Sequence, residues 1–311
     1  MTPFTPDIAR IHDSALRSIS RVIRETAQPT PPDDALSATA DALRRGGVLV
    51  LTGAGVSTDS GIPDYRGPAG SLTRGRPMTY QEFRHDPEAL HRYWARSFIG
   101  WRHMAGARPN RTHHTLVELE RAGLITGIIT QNVDGLHTAA GSRTVIGLHG
   151  DLSVVTCLHC GNREPRHDLD RRLDAANPGY LERALATGTG NVRPDGDIDL
   201  TPDVVTHFRL VGCTTCGSTL LKPDVVYFGE PVPTSRRDAV GGLLRDSRIL
   251  IVMGSSLAVM SGYRIALDAC RAGLPLIVIN GGPGRADSRA DVLWRTSVAD
   301  ASDRILDALE L

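Results

Sequence analysis

The chain has 311 residues, with 35 acidic and 35 basic side chains and a formal net charge of zero at pH 7. This length suits one large α/β domain, alone or with a small inserted module. The balanced charge argues against nucleic acid or an anionic membrane surface as a partner. The longest apolar runs, 249–253 and 274–279, are also far shorter than the roughly 20 residues that a membrane span requires.

Residues 1–33 end in a proline-rich stretch and lack sustained apolar periodicity, apart from an amphipathic turn around 11–23. We predict that they form a flexible, loosely attached arm. The segment contains acidic residues and no apolar core followed by a small-residue cleavage site, so we expect neither a secretory signal nor an organellar transit peptide. We therefore expect a cytoplasmic protein, with the mitochondrial matrix as the alternative.

Short apolar runs separated by helix-length segments follow the arm. The first, 48–52, has the length and β-branched content of a buried parallel strand. Similar runs recur at four later places: 127–131, 145–148, 248–253 and 275–280. This alternation is typical of a doubly wound parallel sheet. We predict an α/β fold of the Rossmann type, built from residues 34–150 and 223–311.

The stretch at about 70–110 interrupts this alternation. It carries six aromatic residues, among them Tyr93 and Trp94, within segments of helical character. We predict that it forms a mobile helical cap on the sheet domain.

A second insertion, residues 151–222, contains two C-x-x-C pairs. These pairs are Cys157 with Cys160 and Cys213 with Cys216. Two such knuckles suit tetrahedral coordination of zinc by four thiolates, which leaves no open position for a reactive water. We therefore predict a zinc-binding module with one structural Zn²⁺; the alternative is unpaired cysteines in a core. The fifth cysteine, Cys270, is isolated and is interpreted as a small core residue.

A glycine turn, Gly53-Ala54-Gly55-Val56-Ser57, directly follows the first predicted strand. A turn without Cβ atoms allows the backbone to approach a pyrophosphate at the start of the next helix. A short G-x-G is also common in purely structural turns. The following loop, Ile62-Pro63-Asp64-Tyr65-Arg66-Gly67, is polar and stiffened by proline, which argues against simple hydride-transfer chemistry.

Polar side chains also stand at the ends of the next two strands. Gln131, Asn132 and Asp134 follow one strand, where open α/β sheets bind ligands, although an Asx-capped turn would use the same residue types. His149 ends the next strand and is suited to accept a proton near neutral pH. His137 competes for this role.

Three further segments have the composition of ligand-binding edges. Residues 222–230 form an extended apolar stretch that could bind a peptide by β-augmentation or serve as an ordinary core strand. Gly254-Ser255-Ser256 and Asn280-Gly281-Gly282 each follow a predicted sheet strand and supply small or polar residues.

Taken in order, these motifs resemble those of the sirtuin family: G-A-G-x-S, G-I-P-D-[FY]-R, T-Q-N-x-D, H-G, two C-x-x-C pairs, K-P-x-V-V-x-F-G-E, G-[TS]-S and I-N. The resemblance spans about residues 35–305. Two departures are Tyr65, where many sirtuins have phenylalanine, and Gly67, where they usually have serine.

The resemblance implies an NAD-dependent protein-lysine deacylase that releases nicotinamide and O-acyl-ADP-ribose from an acyl-lysine protein or peptide. It implies that His149 accepts a proton from the ribose hydroxyls, with Asn132 and Asp134 completing the catalytic set, and that Val226 and Phe228 flank the acyl-lysine. It further implies a set of NAD-binding residues: Gly53, Ala54, Gly55, Ser57, Ile62, Pro63, Asp64, Tyr65, Arg66, Gln131, Asn132, Val133, Asp134, Gly254, Ser255, Ser256, Asn280, Gly281, Gly282 and Val298.

Within the family the chain looks like the class II, mitochondrial lipoamidase-type branch, on the strength of 92–96, 194–197 and 261–264. Tyr93 and Arg96 have the letters of the Tyr-x-x-Arg pair with which succinyl-removing relatives hold an acyl carboxylate. We therefore expect an acyl group that ends in a carboxylate, with a longer or lipoyl-like acyl group as the rival. A packed aromatic and a solvated arginine would carry the same letters.

Two other functions would use nearly the same residues. One is mono-ADP-ribosyl transfer to a protein, and the other is non-catalytic sensing of NAD or ADP-ribose. The joint presence of His149, Asn132 and Asp134 disfavours a pure sensor, because binding alone does not require that histidine.

Overall fold

The computed structural model describes residues 4–67, 70, 72, 76–187 and 194–311. Small parts of the predicted arm, cap and zinc module (1–3, 71, 73–75 and 188–193), together with 68–69, lie outside the described residues. The helices are α1 Pro6–Ile19, α2 Pro32–Arg44, α3 Tyr80–His85, α4 Pro87–Gly106, α5 Arg111–Arg121, α6 Leu136–Ala140, α7 Arg166–Ala176, α8 Tyr180–Ala186, α9 Pro202–Thr206, α10 Thr234–Arg245, α11 Met260–Arg271 and α12 Val298–Leu309. The strands are β1 Val48–Thr52, β2 Ile125–Thr130, β3 Val145–Gly147, β4 Gly150–Cys157, β5 Arg163–Pro165, β6 Leu221–Val225, β7 Ile249–Met253, β8 Leu276–Ile279 and β9 Val292–Trp294.

Six parallel strands form the main sheet, in the order β3-β2-β1-β7-β8-β9. All residues of β1, β7 and β8 are buried, which explains their continuous apolar runs. When only the strands of this sheet are counted, the order is 3-2-1-4-5-6, so the strand order reverses between β1 and β7. The predicted Rossmann-type architecture is confirmed, and ligands are expected outside the carboxyl ends of β1 and β7.

The two insertions, the predicted helical cap and the zinc module, pack together. Strands β5, β4 and β6 form a small antiparallel sheet. Phe98 and Trp94 of α4 are buried in one hydrophobic cluster with Tyr180 of α8 and Phe208. The Trp94 indole also donates a 2.9 Å hydrogen bond to the Leu221 carbonyl of β6. The aromatic side chains that suggested a cap are therefore core residues shared with the cysteine module.

Part of the predicted flexible arm forms a helix that packs against the rest of the protein. Its residues form α1, whose Ala15 and Ile19 are buried. His12 Nδ1 lies 3.0 Å from Thr79 Oγ1 just before α3, and the Thr30 N–H donates to the Leu293 carbonyl of β9. These contacts join residues far apart in the sequence, which local periodicity does not reveal. Within the described ranges, no helix has the length and apolar content needed to cross a membrane.

Candidate active site

A cavity of about 1280 Å³ lies at the carboxyl ends of the central strands. All but two of the cofactor-, catalytic- and substrate-site residues expected from the sequence line it; Pro63 and Arg96 do not. Those that do are Gly53, Ala54, Gly55, Ser57, Ile62, Asp64, Tyr65, Arg66, Tyr93, Gln131, Asn132, Val133, Asp134, His149, Val226, Phe228, Gly254, Ser255, Ser256, Asn280, Gly281, Gly282 and Val298. The fold thus brings residues spread from Gly53 to Val298 along the sequence to one site.

Close backbone contact between two glycine turns forms one wall of this cavity. A Cβ atom on Gly53 would lie 2.6 Å from Ser255 Cβ, and one on Gly55 would lie 2.9 Å from the Gly254 carbonyl oxygen. Gly254 itself has φ of +64°, a conformation that favours glycine. A short 3₁₀-helix, Ala54–Ser60, begins at this point. Glycine is therefore required for packing here, and the same lack of side chains leaves the backbone open to a phosphate group.

Asn132, Ser57 and Asp134 form a hydrogen-bonded chain beside the glycine turns. The Asn132 amide donates to the Gly53 carbonyl at 3.1 Å and to Ser57 Oγ at 3.0 Å. Ser57 in turn donates to Asp134 Oδ2 at 2.7 Å, and Asp134 Oδ1 accepts the Leu136 N–H at 2.9 Å. Burial raises the pKa of the Asp134 carboxyl above its usual value. The three side chains are held in fixed orientations toward the cavity.

His149 is held in one tautomer. Its Nδ1 lies 2.9 Å from the Gln131 carbonyl oxygen, so Nδ1 carries the proton. Burial lowers the pKa of His149 from 6.5 to about 4, which keeps the ring neutral at pH 7. Nε2 therefore carries no proton, and its lone pair, on the cavity side, accepts a hydrogen bond from Ser261 Oγ at 2.7 Å.

His137, the competing candidate, lies elsewhere. It is 2 % exposed and its Nε2 lies 2.9 Å from Thr52 Oγ1, behind the end of β1. Its ring contacts that of His113 at an interplanar angle of 56°, with the centroids 4.8 Å apart. Burial lowers the pKa of His137 to about 3. His149 lines the large cavity and His137 does not.

The Asp64 side chain forms a hydrogen bond within the proline-stiffened loop. Asp64 Oδ1 accepts the Gly67 N–H at 2.9 Å, and a Cβ atom on Gly67 would lie 2.2 Å from Asp64 Oδ2. The structure thus explains why glycine stands at 67, where sirtuins usually have serine, because the Cβ atom of a serine would require the Asp64 carboxylate to move. Tyr65, the second departure, packs edge-on to Phe228 with ring centroids 6.5 Å apart.

The arm supplies a wall of the cavity that the sequence did not indicate. Residues 18–23 line it, and the Arg66 guanidinium donates to the carbonyl oxygen of Ile19 at 3.1 Å. Arg66 is thus bound to the end of α1. No local motif in residues 18–23 distinguishes them from a solvated tail, so sequence reasoning had no signal for this contact.

Tyr93 and Arg96 do not converge on the cavity as the expected carboxylate clamp would require, because Tyr93 lines it and Arg96 does not. Tyr93 is 5 % exposed and packs against Tyr227 with ring centroids 5.7 Å apart. The Arg96 guanidinium forms ion pairs with Asp197 at 3.3 Å and Asp199 at 2.5 Å. One helical turn separates the two residues in sequence, but Arg96 faces the acidic segment after α8 instead of the cavity.

The segment expected to flank the acyl-lysine, 226–228, begins where β6 ends. The Val226 N–H donates to the His149 carbonyl oxygen at 2.7 Å, so this segment is bonded directly to the backbone of His149. The Phe228 carbonyl accepts the Tyr80 N–H at 2.9 Å. Val226 and Phe228 both line the cavity, within reach of the same space as His149.

The four cysteines form a set that fits zinc. Their sulfur atoms all lie within 4.8 Å of one another, and the Cys157–Cys216 and Cys160–Cys213 sulfur pairs are each 3.7 Å apart. A tetrahedral site with Zn–S distances of about 2.3 Å places its sulfurs about 3.8 Å apart. The observed distances are far too long for disulfides. The cysteines lie at the end of the small sheet where Cys157 of β4 pairs with Leu221 of β6, whereas Gly150, next to His149, pairs with Val225 at the other end. Four thiolates leave no open coordination position, so the metal would be structural.

Comparison with known proteins agrees with this geometry. The Sir2 family model matches residues 53–261. The chain is 63% identical to "NAD-dependent protein deacetylase 1" of Corynebacterium efficiens, over 89% of this chain and 98% of the relative. It is 40% identical to "NAD-dependent protein deacylase Sirt4" of Drosophila melanogaster, over 90% of this chain and 89% of the relative.

Solved structures give the same result. A structure described as Sir2 with a p53 peptide and NAD⁺ aligns with a TM-score of 0.66 at 29% identity, covering 88% of this chain and 97% of the other. Another, from work on the mechanism and regulation of Sir2 enzymes, aligns with a TM-score of 0.69 at 28% identity, covering 89% and 98%. The fold, the ordered motifs and these relatives together place the chain in the Sir2 family, the sirtuins.

Proposed function

We propose that this protein is an NAD-dependent protein-lysine deacylase. The observation that carries the proposal is His149: a neutral imidazole whose Nε2 faces a cavity shared with the glycine turns and the Val226–Phe228 edge. Relatives named as NAD-dependent protein deacetylases or deacylases support it. NAD would supply the electrophilic ribose carbon that accepts the acyl oxygen of the substrate.

The residues of this chain would divide the work along the cavity. The glycine turns at Gly53 and Gly254 would receive the pyrophosphate through their backbone. The Asn132–Ser57–Asp134 chain would orient the nicotinamide end, because its donors and acceptors are already fixed. Val226 and Phe228 would hold the acyl-lysine, and His149 Nε2 would take the proton of a ribose hydroxyl.

We infer that the acyl group bears no negative charge at its end. Arg96 is engaged by two carboxylates, and Asp195 and Asp197 line the cavity near Tyr93. Arg96 is therefore already neutralised within the chain and would not attract an acyl carboxylate. Acetyl or a longer uncharged acyl group therefore fits better than succinyl. The class II, lipoamidase-type branch is also a proposal, and it rests on the segments 92–96, 194–197 and 261–264. The Drosophila relative is named a deacylase, and the Corynebacterium relative, which is more similar, is named a deacetylase.

The test is a product analysis with isotopically labelled NAD and a panel of lysine peptides carrying acetyl, lipoyl-like and succinyl groups. Deacylation predicts peptide-dependent nicotinamide release, with the label in a small molecule. Label on protein would instead support mono-ADP-ribosyl transfer, and binding without turnover would support a sensor. Preferential removal of succinyl would contradict the proposal of an uncharged acyl group.

We also propose the cytoplasm as the place of action, to be tested by fractionation.

A further inference from the structure

A serine lies against the proposed base on the side where the proton would arrive. Ser261 Oγ is 2.7 Å from His149 Nε2. Because Nδ1 carries the ring proton, Nε2 has only a lone pair, and the serine hydroxyl must be the donor. Ser261 lines the same cavity as His149. The free enzyme thus holds the base with two hydrogen bonds, one on each ring nitrogen.

The position of Ser261 depends on the first turn of α11. Its neighbour Gly262 packs so closely on Gln131 that a Cβ atom would lie 2.4 Å from the Gln131 Oε1. Gln131 also supplies the carbonyl that binds His149 Nδ1. The pair Ser261-Gly262 therefore fixes the start of α11 against the same residue that orients the imidazole. The positive end of the α11 dipole also lies on this side of the ring and disfavours its protonation in the free enzyme.

We propose that Ser261 is a positioning residue for His149. This proposal rests on the proposed deacylation. A hydroxyl can donate to Nε2 while the imidazole is neutral, and it can turn to accept from Nε2–H once the ribose proton has moved there. It therefore holds the ring until the ribose hydroxyl takes its place at the Nε2 lone pair, and it can hold the ring again once the proton has moved. The facing charged group from α10 is Arg236, which is ion-paired with Asp224 of β6 and also disfavours the imidazolium.

The experiment compares two rates in wild type, Ser261→Ala and Ser261→Thr: exchange of labelled nicotinamide into NAD, and release of deacylated peptide. Exchange needs only the step before His149 takes its proton. We expect Ser261→Ala to raise the ratio of exchange to deacylation by roughly 10-fold, the order set by one lost hydrogen bond. Ser261→Thr, which keeps the hydroxyl, should stay within about twofold of wild type.

Thermal melting and bound zinc establish that each variant is folded. The ¹⁵N chemical shift of His149 Nε2 provides a readout independent of turnover, and it should move in Ser261→Ala and not in Ser261→Thr. An unchanged ratio and shift in folded Ser261→Ala, or equal changes in both variants, would overturn the proposal. A wild-type enzyme that releases no nicotinamide with any acyl peptide would contradict the proposed function itself, which is a separate result.

Discussion

The Arg66 guanidinium donates to the Ile19 carbonyl oxygen at 3.1 Å, and so joins the end of α1 to the loop that closes the cavity. Ile19 is 5 % exposed, whereas Ile11 on the same helix is 45 % exposed. The N-terminal helix is therefore a structural part of the site, and its contribution can be measured.

The first prediction concerns this helix. Ile19→Asp should release the end of α1, because an unpaired buried carboxylate is unfavourable. We expect the KM for NAD to rise roughly 5-fold or more, as expected for the loss of about 1 kcal/mol of binding free energy, with a smaller change in kcat. Steady-state kinetics measure both. The exposed Ile11→Asp is the matched control, and equal effects in the two variants would show that α1 does not form the cavity wall.

The second prediction concerns the cysteine site. Cys157→Ser should lose about one equivalent of zinc and the cooperative unfolding of the small domain, because metal binding and folding are coupled at such sites. Trp94, which is bonded to Leu221 of β6, should report the loss as a change in fluorescence. Cys270→Ser, a cysteine outside the cluster, should keep the metal. Full zinc retention in Cys157→Ser would contradict the assignment.

The third prediction concerns stability in acid. Burial lowers the pKa of His113 to about 4 and that of His137 to about 3, from 6.5. As pH falls below 6.5 toward 4, the unfolded chain binds protons that the folded chain does not. The free energy of unfolding should therefore fall, by about 1.4 kcal/mol per pH unit for each histidine.

Urea unfolding at pH 7 and pH 5 measures this slope. His137→Gln should show a smaller fall than wild type. The exposed and non-titrating Ile11, in Ile11→Val, is the control and should leave the slope unchanged. A slope in His137→Gln equal to that of wild type would contradict the account of His137 as a buried neutral group.

The fourth prediction concerns Gly262. Gly262→Ala places a Cβ atom 2.4 Å from Gln131 Oε1, so α11 or Gln131 must move. We expect deacylation to slow by 10-fold or more, about the effect of a small displacement of a catalytic group. Gly106→Ala, at the end of α4, meets no atom within 4 Å and should leave the rate unchanged. Equal rates in the two variants would show that this close contact has no role in positioning His149.

Much of the sheet domain could be predicted from the sequence because its signals are local. The buried strand Val48–Thr52 is a continuous apolar run, and the glycine turn follows it directly. The two cysteine pairs are predicted to contact each other, because a tetrahedral zinc site of this kind needs four thiolates. For these features, residue type and spacing carry the structural information.

The remaining features depend on partners that spacing does not identify. Tyr93 and Arg96 match the Tyr-x-x-Arg motif. The direction of the arginine, however, is set by its ion pairs with Asp197 and Asp199, about 100 residues later in the sequence. Ile19 is buried, and its carbonyl accepts from Arg66, 47 residues later in the sequence. Ser261 was noted as part of a pattern, but its contact with His149 required the packing of α11.

The most direct test of the central claim is the stoichiometry of products from NAD and an acetyl-lysine peptide, measured by mass spectrometry with wild type, His149→Ala and the exposed-residue control His114→Ala. The account predicts equal amounts of deacetylated peptide, nicotinamide and O-acetyl-ADP-ribose from wild type and control. It predicts a loss of at least about 100-fold in His149→Ala that remains folded. Undiminished deacetylation by His149→Ala would contradict the account.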